Sequence, residues 1–433
     1  MRFGGQGIWN HAEREGLPIR RAGVMHFRRS WLPQAQQAVA SKSTVAKAKG
    51  GTMTPARGSG SIDLLFDVRH IDQSGIGTYI GVYIPRLEEA FARQGRTLAV
   101  LADRDNVPIV GDATTVVVSE PSGALMYSVA EQRAWDRAIR TTRPKAVWLP
   151  HYPFPFTLFR SGNRGPLLFT TVHDDNHLLP ESISGNGRAR RMYARTMLEF
   201  VARRSAAIFT PSQAAADALA AYVPKARFVV TPIPVSEAWF EPADARLSPV
   251  QDRYILYLGN VKRHKNLKAL LDAYTQVQQE IPQKLVIAGS GASVKMLDES
   301  IHAQAAALGD RVEMLGRLEF DELRALVAGA DLLVMPSFNE GAGLPPLEAM
   351  ASHTAVLSSS IPSLRETCGS GADYFDPKDH AGLAELIRTY CLDDEARAEL
   401  TSRGWAHVNQ RQTHISTGAA AEVILTKLGD RDA

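Results

Sequence analysis

From Ser61 onward, short apolar runs rich in Val, Ile and Leu alternate with longer amphipathic stretches. The first series covers 63–68, 98–101, 115–118, 146–149, 167–172, 207–209 and 228–230. These runs lack polar alternation, the pattern of strands buried on both faces of a parallel sheet. A second series follows at 254–258, 285–288, 312–315, 332–335, 355–358 and 374–375, separated by helical patterns such as 267–279. Two successive strand–helix arrays predict an α/β chain of two Rossmann-like domains facing each other across a cleft. In such sheets ligands bind beyond the carboxyl ends of the strands. The expected organisation is a first domain over 61–240, a linker over 241–251, a second domain over 252–410 and a C-terminal helix over 411–433 that packs back on the first domain. The linker is placed by the Pro-rich, weakly periodic stretch 231–251.

Residues 1–60 show neither strand alternation nor a helical stripe, and 41–60 is almost all Ser, Thr, Lys, Ala and Gly. A disordered basic tail is expected there. An organelle transit peptide, a lipid-binding arm and an over-long start with Met53 as initiator are the other readings. The tail carries ten Lys/Arg against two acids, so the formal charge of +3 becomes −5 over the remainder. That leaves no positive excess to neutralise phosphates, which excludes nucleic acid as the partner. No run approaches the ~18 apolar residues that span a bilayer, and no signal-peptide pattern opens the chain, so a cytoplasmic protein is expected. Cys368 and Cys391 are too few for a disulfide framework or a cysteine-based zinc site.

Chemistry concentrates where strands end. In 331–351 a buried strand empties into a Gly-rich loop, and Pro345-Pro346 opens a helix where proline is tolerated. The free N–H groups of Ala342, Gly343 and Leu344 and the helix dipole favour an anion ahead of it. Glu340 precedes the loop and Glu348 is expected in the helix's first turn, where each carboxylate can accept hydrogen bonds from sugar hydroxyls. Gly75 and Gly77 fall between a strand ending at Val68 and a helix beginning near Thr78, by themselves a tight turn. His173 ends another buried strand, followed by Asp174 and Asp175. Asp103-Arg-Asp105 has the form of a metal-binding D-x-D pair but lies far from the Glu340 loop and reads as a solvated turn. His302, His353, His380, His407 and His414 show no paired zinc-ligand spacing, so no metal is expected. Arg188, Arg190, Arg191, Arg195, Arg203 and Arg204 share a helical stretch with Met192, Leu198, Phe200 and Val201, opposed only by Glu199. That stretch is either a solvated charged face or a docking surface for anionic lipid.

Glu340 and Glu348, with seven residues between them and Gly-Leu-Pro-x-Leu-Glu-Ala-Met inside, resemble the E-x7-E motif of retaining glycosyltransferases of the GT-B fold, family 4. Asp67-Val-Arg with Ser74-Gly-Ile-Gly-Thr-Tyr79, Thr171-Val-His-Asp174, the loop 259–266 and Tyr374-Phe-Asp-Pro377 extend the resemblance in order along the chain. The resemblance implies that Glu340 contacts the donor hexose, Glu348 the ribose, Lys265 the diphosphate and His173 the donor sugar. Gly75, Gly77, Gly341, Ala342, Gly343 and Leu344 would then bring backbone to the donor. The family often carries an arginine where this chain has Asn260 or His264, which leaves Lys262 or Arg263 to supply a second cation. Ala342 replaces the usual aromatic and widens the sugar pocket.

The implied reaction is metal- and cofactor-free transfer of a hexose, with retention, from a nucleotide-diphosphate sugar to a glycan or lipid-linked acceptor. The opening motifs resemble mannosyltransferases of bacterial polysaccharide and O-antigen assembly, which puts GDP-mannose ahead of UDP-sugars. Peripheral contact with the inner face of the cytoplasmic membrane, through the Arg188–Arg204 helix, would suit a lipid-linked acceptor. A nucleotide-sugar epimerase and a non-catalytic sugar-nucleotide binding protein are the alternatives. Paired NAD-binding domains are disfavoured, because neither first strand–helix turn carries Gly-x-Gly-x-x-Gly.

Overall fold

The structure, a computed structural model, describes residues 61–71, 74–159, 165–289 and 299–433. The expectations for 1–60 lie outside these residues. The first array is β1 (Leu64–Asp67), α1 (Ser74–Arg93), β2 (Leu98–Ala102), β3 (Thr115–Val118), α2 (Val129–Thr142), β4 (Ala146–Leu149), β5 (Leu167–Thr171), α3 (Glu181–Ser184), α4 (Arg188–Arg204), β6 (Ser205–Thr210), α5 (Gln213–Ala220) and β7 (Phe228–Val230). Its strands form one parallel seven-stranded sheet in the order β3-β2-β1-β4-β5-β6-β7.

The second array is β8 (Tyr254–Leu258), α6 (Leu267–Val277), β9 (Lys284–Ala288), α7 (Glu299–Ala307), β10 (Val312–Leu315), α8 (Phe320–Ala328), β11 (Leu332–Met335), α9 (Leu344–Ala351), β12 (Ala355–Ser359), α10 (Pro362–Cys368), β13 (Asp373–Phe375) and α11 (His380–Leu392). It forms a parallel six-stranded sheet in the order β10-β9-β8-β11-β12-β13. Helices α12 (Asp394–His414) and α13 (Ala419–Asp432) close the chain. β1, β4 and β11 are buried at every position, which is why the sequence shows them as unbroken apolar runs. In each sheet the strand order reverses at one point, β1/β4 and β8/β11, and the crevice at such a reversal is where ligands bind.

Several boundaries differ from the sequence reading. α1 begins at Ser74 rather than near Thr78, so Gly75 and Gly77 lie in its first turn and not in a loop. Glycine is a poor helix former, and the pair therefore reads as a turn. Its presence at 77 has a packing cause, because a Cβ there would run into the Ile71 carbonyl. The stretch 241–251 is not a free linker. Ile233 belongs to the first domain's core, whereas Val235, Trp239 and Val250 belong to a core cluster of the second, so the chain crosses at Pro234. The boundary expected at 410 falls inside α12, which runs on to His414 and returns the chain to the crossing point. There Val235 N–H donates to Gln412 Oε1 (3.1 Å) and Gln412 Nε2 donates to Val235 O (2.8 Å). α13 then buries Ala420, Ala421, Ile424, Leu425 and Leu428 in the first domain's core. Each of the larger three is worth about 1.5–3 kcal/mol of burial. Asp432 pairs with Arg96 (2.9 Å) and Lys145 (3.0 Å). No helix among the described residues is long and apolar enough to cross a membrane.

Candidate active site

The loops after β8 and β11, neighbours at the reversal of the second sheet, are tied together before any ligand is considered. After β8 a single 3-10 turn, Arg263–Lys265, ends at Asn266 in the left-handed region (φ 53°). The Asn266 side-chain amide donates to the carbonyls of Pro336 (3.0 Å) and Pro377 (2.8 Å), and Phe338 N–H donates to His264 O (2.7 Å). This fixes Lys265 against the end of β11. Its ammonium donates to both carboxylate oxygens of Glu340, at 2.7 Å each, and Ser337 Oγ donates to Glu340 Oε1 at 2.6 Å. The two side chains are only 18% and 9% exposed, so a largely desolvated cation and anion neutralise each other at the carboxyl ends of β8 and β11. Glu340 has both oxygens committed and is not poised as a nucleophile. Lys265 keeps its remaining N–H for an incoming oxygen.

The Gly-rich loop follows. A Cβ at Gly341 would drive into the His173 carbonyl, and Ser212 Oγ donates to Gly341 O at 2.6 Å, so this loop is pressed against the first domain. Ala342 O accepts from Thr367 Oγ1 (2.7 Å). Gly343 takes φ 61° as the N-cap of α9, where a side chain would be strained and would meet Leu364. Pro345 and Pro346 remove two of the donors a helix normally presents. The N–H groups of this end are therefore those of Ala342, Gly343 and Leu344, and none donates within the protein among the described residues.

Glu348 lies in the second turn of α9 rather than the first, because the helix begins at Leu344. Its carboxyl is mostly buried and has no hydrogen-bond partner among the described residues, and burial pushes its pKa up to about 7. An unsatisfied buried carboxyl is costly unless a ligand completes it.

His173 Nε2 donates to Pro150 O (2.8 Å), its ring stands edge-on to Tyr79 (5.1 Å), and burial lowers its pKa. It is a neutral imidazole whose Nδ1 is left as an acceptor. Two further links join the domains here: Asn339 Nδ2 donates to Asp175 Oδ1 (3.0 Å), and Glu366 accepts from the N–H groups of Gln213 (2.8 Å) and Ala214 (2.6 Å). His264, where a family cation was expected, is buried, and burial followed by the neighbouring Lys265 pushes its pKa down to about 4. It supplies no charge. Lys262 is exposed with no carboxylate partner among the described residues, whereas the Arg263 side chain lies over Gly185 of the first domain. Gly75 is open to solvent and Gly77 is covered by Ile71, and among the described residues no hydrogen bond joins them to the Lys265–Glu340 pair. Asp103 is part of a surface turn closed by Asn106.

The sequence reading missed a buried polar cluster at the β1/β4 reversal. Asp67 accepts from Arg69 Nε (2.9 Å) and Nη2 (2.7 Å) and from Trp135 Nε1 (2.7 Å). Beside it the ligand-type atoms of His70, Glu131 and His151 lie within 4.8 Å of one another. These could in principle hold a metal ion. However, His151 Nε2 bonds to Glu131 Oε1 at 2.8 Å, Tyr127 N–H donates to Glu131 Oε2 at 2.7 Å, and Arg69 stands 3.9 Å from Oε1. A dication would sit beside a guanidinium, so the donor set fits a hydrogen-bond network better. Zinc-type spacing cannot reveal it, since its histidines come from the ends of two strands distant in sequence.

Residues 80–234 match a family model described as a glycosyl transferase 4-like domain, and 241–406 match one described as glycosyl transferases group 1. Over 197 residues the chain is 31% identical to the O-antigen chain mannosyltransferase B of Escherichia coli, covering 43% of this chain and 51% of that protein. Over 300 residues it is 29% identical to the serotype-specific mannosyltransferase WbdA of Escherichia coli, covering 64% of this chain and 36% of that protein. The matches thus span about half of the first relative's length and about a third of the second's. Among solved structures, the fold is similar to sucrose-phosphate synthase from Thermosynechococcus elongatus (TM-score 0.64, 18% identity, 86% of this chain and 98% of that one).

Proposed function

The chain belongs to the family 4 glycosyltransferases of the GT-B fold, and from that premise we propose that it moves a hexose, with retention, from a nucleotide-diphosphate sugar to a glycan or lipid-linked saccharide. The observation that carries this reading is the arrangement on α9: amides at Ala342, Gly343 and Leu344 and a carboxyl at Glu348 that have no partner among the described residues, and the Lys265–Glu340 pair alongside. The amides and the helix dipole suit a diphosphate, and a carboxylate further along suits the ribose hydroxyls of the same nucleotide. Lys265 turns toward the diphosphate as charge builds on the leaving group, and Lys262 adds a second, exposed cation. Glu340, released in part from Lys265, accepts hydrogen bonds from the hexose.

The departing phosphate oxygen takes the acceptor's proton and offsets the oxocarbenium-like charge on the same face, which accounts for retention without a covalent sugar–enzyme bond. The cation at the diphosphate is then supplied by lysine rather than metal. Mannose from GDP-mannose is the favoured donor, in keeping with the mannosyltransferase relatives. The acceptor would be presented by the first domain, held near the inner face of the cytoplasmic membrane through α4. There Arg188, Arg190, Arg195 and Arg203 stand exposed beside Met192, 72% exposed, while Ala194, Met197, Leu198 and Val201 pack inward.

The test is a thermal-shift panel of GDP, UDP, dTDP and ADP and their sugars, in EDTA, on wild type and Glu348→Ala. A ligand at a hundredfold excess over its dissociation constant stabilises by about 2.7 kcal/mol. One nucleotide should raise the wild-type midpoint and leave the variant unmoved. No response to any nucleotide would remove the donor-site reading.

A further inference from the structure

The buried cluster at the β1/β4 reversal has an unusual dependant. Tyr127, just before α2, adopts φ 63°, a left-handed conformation that a bulky residue rarely takes unless its surroundings impose it. What imposes it is Glu131, fully buried, whose Oε2 accepts the Tyr127 N–H while Oε1 is anchored on His151. The strain is spent on holding a ring in the open, because Tyr127 remains 44% exposed.

That ring is one of a group. Tyr127 stands 6.3 Å from Tyr152 and 5.9 Å from His177, and Tyr152 stands 5.8 Å from His177. The interplanar angles of 65°, 50° and 67° keep these rings from stacking on one another. Tyr193 of α4, 42% exposed, lies within electrostatic reach of Tyr127. Among the described residues the phenol hydroxyls of Tyr127, Tyr152 and Tyr193 make no hydrogen bond within the protein. Asp174 is within electrostatic reach of Tyr127, Tyr152 and His177, and His177 in turn of Lys262 across the cleft. The turn that carries Lys265 also reaches the first domain through the Arg263 side chain, which lies over Gly185.

One exposed ring, Tyr127, backed by the buried Tyr152 and the half-buried His177, with uncommitted phenol hydroxyls and a carboxylate beside them, is the chemistry of carbohydrate recognition: a ring face meets sugar C–H groups while hydroxyls and carboxylate take the polar edge. We propose that Tyr127, Tyr152, His177 and Asp174 form the subsite for the terminal pyranose ring of the acceptor, with Glu131 and His151 as positioning residues that hold Tyr127 in place. This rests on the glycosyltransferase reading and adds to it the seat of the acceptor's terminal ring.

The left-handed backbone supplies a clean test. Tyr127→Gly removes the ring and relieves the backbone at once, so the fold does not suffer, and Tyr127→Phe keeps the ring. The donor probe is GDP and the acceptor probe is α-linked mannobiose, followed by saturation-transfer NMR and by transfer kinetics from GDP-mannose. Wild type with GDP bound should show enhancement of the mannobiose ring protons. Tyr127→Gly should keep its melting midpoint and GDP affinity, raise KM for mannobiose tenfold or more and change kcat little, while Tyr127→Phe stays within about threefold. An unchanged KM in Tyr127→Gly, a loss of GDP affinity and melting midpoint together, a loss of binding to anionic vesicles without a change in KM, or no enhancement of mannobiose by GDP-bound wild type would each overturn the platform. Failure of wild type to bind any nucleotide would instead overturn the reading on which it rests.

Discussion

Replacing Glu348 by Gln isolates the ionisation of one carboxyl. In the free protein burial raises this group's pKa from 4.5 to about 7. A carboxyl whose folded-state pKa lies above its unfolded value holds its proton more tightly when folded. Stability is then greatest below the unfolded pKa and falls as pH rises through the folded one, between about 4.5 and 7. At about 1.4 kcal/mol per unit the full loss comes to about 3.5 kcal/mol, and the solvent-accessible edge of the side chain brings it nearer 2 kcal/mol. The amide of Glu348→Gln has the same shape and no charge to desolvate. At pH 8 the variant should therefore be more stable than wild type by about 2 kcal/mol, roughly 4–8 °C in the melting of a domain of this size, and at pH 5 the gap should shrink to about 0.5 kcal/mol.

Donor binding should run the other way. The carboxylate is the stronger acceptor for ribose hydroxyls, so wild-type affinity for GDP-mannose should rise through pH 7 and the variant should lose about tenfold at pH 8. GDP-mannose is the ligand of choice because its esterified diphosphate does not titrate in this range. Melting curves at pH 5, 6, 7 and 8, with and without GDP-mannose in EDTA, measure both effects. Parallel melting of the two proteins across this range, or equal stabilisation by GDP-mannose at pH 8, would refute the reasoning.

Lys265→Ala leaves Glu340 as a largely buried, unpaired carboxylate and removes the cation from the diphosphate; steady-state assays should show kcat lower by 10²-fold or more, together with a lower melting midpoint. Gly341→Ala places a methyl group against the His173 carbonyl, so the domains should be held apart, with a larger radius of gyration by small-angle scattering and a loss of transfer but not of nucleotide binding. Arg188→Glu with Arg190→Glu should weaken sedimentation with vesicles rich in anionic lipid by more than tenfold, at about 1 kcal/mol for each basic residue removed, and leave transfer to a water-soluble acceptor unchanged.

What could be read in the chain follows from which forces are local. β1, β4 and β11 are buried on both faces, so their identity is written as continuous apolar runs. The Gly343–Glu348 segment is equally local, since its glycine, its prolines and its glutamate act within one loop and one helix. The start of α1 reads late from the sequence because Gly75 and Gly77 look like a turn, and only the tertiary approach of Ile71 explains the second glycine. The crossing at Pro234 reads from the sequence as a later linker because the burial of Trp239 in the second core is invisible in a Pro-rich stretch. The contact of Lys265 with Glu340 depends on β8 and β11 being sheet neighbours, which the order of strands in sequence does not state. Tyr127, Glu131 and His151 left no signal, since a left-handed tyrosine has no composition of its own and its support comes from another strand end.

The stereochemistry of the transfer is the most direct test of a retaining, metal-free reaction. Purified protein, GDP-mannose and a mannoside acceptor in EDTA, followed by proton NMR of the new anomeric signal, should give an α-linked product from the α-linked donor, and Lys265→Ala should give it at least about 10²-fold more slowly. A β-linked product, transfer that appears only when a divalent metal is restored, or full activity in Lys265→Ala would contradict it.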